Sequence, residues 1–272
     1  MSFVFFDYFA DNFAEFSYNP FEIYLMNLYE HLWLYDLVHA KPADSDQIAF
    51  YERVIEYFGQ PVLELACGTG EYLVTLTEND FDISGTEKFP ESINATREKA
   101  EARNVETNLY SADMRDFHLN QRFNLIFIAG NALQHLKTIE DVAACFASVK
   151  RHLLPNGRFI VEVFNPSIEL LNRNPNERYF VGEYRTDDGW IVLTTNVRYD
   201  SSTQINHIDW HYKNQYHKEE QTVSFTMRQF FPQELDALFL YNGFRIEHKF
   251  GDFDESPFTN KSPKQIIVAS IA

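Results

Sequence analysis

The sequence predicts an α/β fold: a largely parallel sheet with helices on both faces, joined late in the chain by an antiparallel sheet. Strand and helix patterns alternate between residues 61 and 164, which calls for right-handed βαβ crossovers. Four long strand patterns separated by turn signals follow between residues 178 and 230, and the α/β rhythm then resumes. A chain of 272 residues suits one such core with an appended or inserted unit.

Each element has its own signal. Asn19 and Pro20 read as N-cap and first turn of a helix carrying Phe21, Tyr24, Leu25, Leu28, Leu32 and Tyr35 at helical spacing. That helix packs on the core, or serves as a lid over a site or as a dimer surface. A second helix spans 45–58, with Asp44 and Gln47 as a capping-box-like start and Gly59 as its stop. Strands are expected at 62–65, 81–86, 109–110, 123–129 and 158–164. The helices between them start near Gly70, at Pro90-Glu91 and at Thr138 with Asp141, and Pro155-Asn156-Gly157 stops the last. After a polar break at 172–176 come strands at 178–185, 190–199, 204–216 and 222–230, with Asp187-Asp188-Gly189 and Asp200-Ser201-Ser202 as turns. A helix at 232–241 and strands at 244–250 and 265–271 complete the chain. The expected division is a helical cap at 1–59, an α/β core at 60–172 and 231–272, and an inserted sheet at 173–230.

Net charge is −17, from 40 acidic against 23 basic residues, with no cluster of five Lys or Arg. Such a chain repels phosphate backbones and anionic membrane, so neither nucleic acid nor membrane is the expected partner and a small molecule is. Aromatics make up 16% of the residues, with 26 Phe and 15 Tyr. That excess suits rings lining a ligand pocket or an oligomer contact. The inserted sheet and the aromatic N-terminus are the candidate surfaces for a homodimer. Cys67 and Cys145 form neither a disulfide framework nor a metal-ligand spacing. No cationic leader opens the sequence and no apolar run approaches the ~20 residues of a membrane span, so a cytoplasmic setting is expected.

The chemistry-bearing segment is Val62-Leu63-Glu64-Leu65-Ala66-Cys67-Gly68-Thr69-Gly70, a buried strand ending in a glycine turn that opens a helix. Glycine there lets backbone approach a ligand where a Cβ would clash. Glu87 stands at the end of the second strand, where an acid takes ribose hydroxyls. A dinucleotide site wants a small residue three positions after Gly70, and the chain has Leu73. Glu64 lies inside the first strand, and Asp113 in Ala112-Asp113-Met114 suits an adenine amine with Met114 against the ring. Adenine and ribose without phosphates point to S-adenosylmethionine.

With Glu-Leu-Ala-Cys-Gly-Thr-Gly, the acid at the second strand's end, the Ala-Asp-Met step and an apolar fourth strand, the chain resembles the class I S-adenosylmethionine-dependent methyltransferases. It is similar in particular to the small-molecule branch that includes the aminosugar N,N-dimethyltransferases and glycine N-methyltransferase, on which Tyr35-Asp36-Leu37, Phe50-Tyr51 and Gly251-Asp252-Phe253 also bear. The resemblance implies a Rossmann-like seven-stranded methyltransferase sheet with an inserted antiparallel sheet and an N-terminal helical lid. It implies that Glu64, Ala66, Gly68 and Gly70 surround the methionine part of the cofactor. Glu87 with neighbouring Lys88 would hold the ribose, Asp113 with Met114 the adenine, and Ala129, Gly130 and Asn131 would lie beneath the sulfonium. Glu71 stands where relatives often have arginine, as an altered surface or a carboxylate in an ion pair.

Methyl transfer from a sulfonium is an in-line displacement that needs alignment and exclusion of water, and a base only when the nucleophile arrives protonated. His135 after the fourth strand and His39 at the end of the N-terminal helix are the candidate catalytic residues, each to remove a proton or to orient a polar group. Tyr35, Tyr51 and Arg228 are the candidate substrate contacts, Arg228 either for a carboxylate or as the partner of nearby acids. His207, Asp209 and His211 alternate on one strand face; at about 7 Å per step they do not share one ion, and no metal is expected. An NAD-linked oxidoreductase and a catalytically inactive cofactor-binding scaffold are the alternatives.

Overall fold

A computed structural model of the chain describes residues 28, 31–39, 45–186, 189–214 and 220–272. The expectations at Asn19–Leu25, at Asp44, at the Asp187-Asp188 turn and at the end of the 204–216 strand lie outside them. Two helices come first, α1 (Leu32–His39) and α2 (Asp46–Phe58). The observed cap of α2 is Ser45, whose Oγ accepts the Ile48 N–H at 3.4 Å. The helix stops at Gly59, whose φ of 87° admits no ordinary side chain.

The core alternates β1 (Val62–Leu65), α3 (Glu71–Glu78), β2 (Ile83–Glu87), α4 (Pro90–Ala102), β3 (Asn108–Ser111), β4 (Phe123–Ile128), α5 (Ile139–His152) and β5 (Leu153–Phe164). A short α6 (Ile168–Leu171) follows, capped by Ser167; the sequence reading held only a polar break near it. Then come β6 (Tyr179–Thr186), β7 (Gly189–Asp200), β8 (Ile205–Asn214) and β9 (Gln221–Arg228), and finally α7 (Pro232–Tyr241), β10 (Phe244–Phe250) and β11 (Lys264–Ile271).

The main sheet has seven strands in the order β3-β2-β1-β4-β5-β11-β10. Pairing is parallel from β3 through β5, and β11 runs antiparallel to both β5 and β10. The strand order reverses direction between β1 and β4, and the crevice that opens there at the carboxyl ends of the strands is the usual ligand site of such sheets. Successive residues of β1 feed opposite faces. Leu63 and Leu65 join the layer beneath α5 and α7, with Phe146, Phe159 and Phe239, while Val62 joins the layer beneath α2 and α3 with Ile55 and Leu76.

Pairing of β5 begins at Leu153, directly after α5, rather than at 158. Phe123 pairs with Leu153 and Leu125 with Arg158, so residues 154–157 bulge out of the ladder. A Cβ on Gly157 would meet the Phe123 carbonyl oxygen at 3.0 Å and that of Asn124 at 3.1 Å, which is why a glycine closes the bulge.

The second sheet is an antiparallel meander in the order β6-β7-β8-β9. It buries Leu193, Trp210, Val223 and Phe225 against Leu28 and Leu34, so α1 rests on this sheet. On its other side His211 Nε2 lies 2.7 Å from Asn196 Oδ1 and its Nδ1 2.9 Å from Thr222 Oγ1, and Ser224 donates to Asp209 at 2.6 Å. Among the described residues no helix is long and apolar enough to cross a membrane, and no group of three His, Cys, Asp or Glu gathers as for a metal ion.

Candidate active site

The turn after β1 is held in left-handed conformations at Ala66 (φ 53°), Gly68 (φ 58°) and Gly70 (φ 79°). Its two glycines do different work. A Cβ on Gly68 would meet nothing within 4 Å, so that face is open to a ligand. A Cβ on Gly70 would stand 2.5 Å from Thr96 Cγ2, so Gly70 lets α4 pack against the turn. Thr96 also donates to the Gly68 carbonyl at 2.9 Å. Glu87 closes one side of the turn. Its Oε2 accepts the Gly68 N–H at 2.9 Å, and its Oε1 accepts those of Lys88 at 2.8 Å and Phe89 at 2.9 Å. Burial raises its pKa against these three donors.

A cavity of about 200 Å³ opens between this turn, the ends of β2, β3 and β4, and α1. Of the predicted cofactor residues, Glu64, Ala66, Gly68, Glu87 and Lys88 line it from the turn side. Asp113, Met114, Ala129 and Gly130 line it from the β3 and β4 side. Gly70 and Asn131 stand behind the wall instead; Asn131, with φ of 64°, caps the 3-10 turn Ala132–His135. Glu64 is 2% exposed and its Oε2 has no hydrogen-bond partner. Burial pushes its pKa well up, and Glu87 and Glu71 add to this against the Leu73 amide and Lys99. Asp113 is gripped by Arg115, Nε to Oδ1 at 3.0 Å and Nη2 to Oδ2 at 2.7 Å, with Lys88 at 3.5 Å. Burial would raise Asp113, but the Arg115 bonds outweigh it and leave the pKa lowered.

Helix α1 is tied to the turn. Thr69 Oγ1 donates to Asp36 Oδ1 at 2.5 Å, and Lys99 reaches Asp36 at 3.5 Å and Glu71 at 3.1 Å. Glu71 is thus the carboxylate of an ion pair. Tyr35 lines the cavity from α1, with its hydroxyl 3.9 Å from where a Gly130 Cβ would lie. Withdrawal from water, then Asp36 and Glu162, raise its pKa.

The other candidates fall in different places. His135 lines the cavity, its Nδ1 enclosed and without a partner. Desolvation and then Lys137 lower its pKa to about 3. His39 is not in the cavity wall: it donates from Nδ1 to the Tyr35 carbonyl at 3.0 Å and stacks on Tyr35 (4.4 Å) and Trp210 (5.7 Å). Tyr51 is buried against Phe127 (4.4 Å) and Tyr72 (5.0 Å), behind the cavity. Arg228 pairs with Glu234 at 2.6 Å and donates to the Lys137 carbonyl at 3.3 Å, outside the cavity lining.

Among the residues at the site that went unread in the sequence are Lys137 and Glu162. Lys137 lines the cavity beside His135. Glu162, fully buried in β5, accepts the Gly130 N–H at 3.1 Å and an ion pair from Lys264 of β11. An acid inside the apolar run Phe159-Ile160-Val161-Glu162-Val163 was the signal that could have found it.

The residues fit S-adenosylmethionine. Glu64 offers an unpartnered oxygen and Gly68 a cradle that a Cβ would fill, and carboxylates and tyrosines surround a space suited to a cation. A dinucleotide pyrophosphate would instead face Glu64, Glu71 and Glu87 with a glycine turn lacking the third small residue.

Sheet order, glycine turn and crevice define a Rossmann-like α/β fold. Residues 62–157 match the family model described as a methyltransferase domain. Over 138 residues it is 30% identical to the dTDP-3-amino-3,4,6-trideoxy-alpha-D-glucopyranose N,N-dimethyltransferase of Streptomyces venezuelae, 49% of this chain and 56% of that protein. Over 160 residues it is 28% identical to the dTDP-4-amino-2,3,4,6-tetradeoxy-D-glucose N,N-dimethyltransferase of Saccharopolyspora spinosa, 56% of this chain and 59% of that one. The chain thus spans somewhat over half the length of these curated relatives. In fold it is similar to the CcbJ methyltransferase of Streptomyces caelestis, with TM-score 0.73 and 21% identity over 87% of this chain and 95% of that one.

Proposed function

We propose that the protein is an S-adenosylmethionine-dependent methyltransferase acting on the amino group of a small molecule, in a cytoplasmic setting, with an amino sugar as the favoured class. The two relatives compared above are N,N-dimethyltransferases of dTDP-linked amino sugars by name, which supports the nitrogen and the sugar. The observation that carries the reading is the joint placement of Glu87 against Gly68 and of the unpartnered Glu64 oxygen in one cavity.

The cofactor, when bound, supplies an electrophilic methyl group on a positively charged sulfur. Glu87 would hold the ribose hydroxyls, and the Glu64 carboxyl would face the methionine part. Met114 would lie against the adenine, and Asp113, oriented by Arg115, would offer an acceptor to its amine. Tyr35 closes the top, and the Asp36–Thr69 bond keeps α1 over the site and water out. His135, with its low pKa, stays uncharged at neutral pH and orients the substrate. Gly130, braced by Glu162, keeps the floor narrow.

The test is release of S-adenosylhomocysteine on a panel containing dTDP-linked amino sugars, glycine and phenols, followed by mass spectrometry. A methylated amine is expected. Tight cofactor binding without turnover on any member would instead indicate an inactive scaffold.

A further inference from the structure

Lys137 forms part of the cavity wall beside His135, and cofactor binding leaves it unused. Its Nζ donates to the Gln134 carbonyl at 3.1 Å and to the Thr226 carbonyl of β9. Among the described residues no carboxylate reaches it as an ion pair. The charged and titratable groups around it are His135 on the same turn, Arg228 on β9 and His207 on β8, and the cavity wall also carries Asp141 of α5. Asp141 is engaged by Arg115 at 2.9 Å, and Glu234 of α7 by Arg228 at 2.6 Å. An uncharged amine satisfies this geometry: two hydrogens go to two carbonyls and the lone pair stays unshared. An ammonium would keep a third N–H with no acceptor among the described residues.

We propose that Lys137 is the proton acceptor of the reaction, taking the proton that a substrate ammonium must lose before its nitrogen can attack. The proposal rests on the methyl-transfer reading. In this step the substrate N–H bond breaks and its electron pair remains on nitrogen. The proton joins the lone pair of Nζ, which becomes an ammonium and returns the proton to solvent after product leaves. Desolvation and then Arg228 lower the Lys137 pKa to about 7, so the free base is populated near neutrality, whereas His135, at about 3, is a poor acceptor.

The alternative role is a brace that staples β9 to the turn after β4. Lys137→Arg separates the two, because arginine keeps the charge and the donors but does not give up a proton. The experiment combines NMR titration of lysine Nζ in the substrate-free protein with the kinetics of Lys137→Arg. Expected are one lysine titrating near 7 that is missing from the variant, unchanged cofactor affinity, and kcat lowered roughly 100-fold with KM little changed. All lysines titrating near 10.5, or wild-type turnover and pH profile in Lys137→Arg, would overturn the proposal and leave the methyl-transfer reading standing. No turnover by the wild-type protein on the amine panel would remove both.

Discussion

The Oε2 atom of Glu87 accepts the backbone N–H of Gly68 at 2.9 Å, so the acid ending β2 and the turn ending β1 form one continuous wall. Their strands are neighbours in the sheet, with Leu65 paired to Thr86. Removing the carboxylate therefore alters ligand contact and turn geometry together. Glu87→Ala is expected to weaken S-adenosylmethionine binding by about 1–3 kcal/mol, the scale of a hydrogen bond to a charged group. Calorimetric titration of the variant measures this; unchanged affinity would contradict the ribose assignment.

Gly70→Ala places a Cβ 2.5 Å from Thr96 Cγ2 at a φ of 79°. Strain and overpacking of this kind cost about 1–3 kcal/mol each, so a clear fall in thermal midpoint is expected, partly recovered by adding Thr96→Ala. A variant as stable as the wild type would show that Gly70 is not needed for helix packing.

Lys264→Met leaves the Glu162 carboxylate buried without its cation. Loss of one partner of a buried pair costs about 3–5 kcal/mol. Urea unfolding is expected to show such a loss, and Glu162→Gln in the same chain to recover much of it. Equal stability of Lys264→Met and wild type would mean that the pair does not brace Gly130.

His135 gives a pH dependence of known sign. Its pKa is about 3 in the folded chain and about 6.5 when exposed. Between those values the unfolded chain binds a proton that the folded chain does not, so stability falls as pH drops through this window, by about 1.4 kcal/mol per pH unit. Above 6.5 the ring is neutral in both states and contributes no slope. His135→Phe is expected to flatten the acid limb relative to wild type; parallel curves would place the titration elsewhere.

Much of the core was readable because its signals are local. Val62 to Gly70 carries strand, turn and helix start in one run, and parallel pairing then brings Glu87 beside it. Asp113 and Met114 follow β3 by the same logic. What escaped depends on contacts between distant segments. Glu162 and Lys264 meet only because β11 inserts antiparallel beside β5, with Phe164 paired to Lys264. Lys137 reads as an ordinary helix-flanking residue until β9 supplies the Thr226 carbonyl. Histidine spacing said nothing of the ring stack that takes His39 from the cavity to Trp210. The glycine pattern likewise did not reveal that Gly70 serves Thr96.

The most direct measurement is a calorimetric titration of the purified protein with S-adenosylmethionine and, separately, with NAD. The account predicts stoichiometric binding of the sulfonium compound, weakened in Glu87→Ala, and no heat from the dinucleotide. Saturable NAD binding with none for S-adenosylmethionine would contradict it.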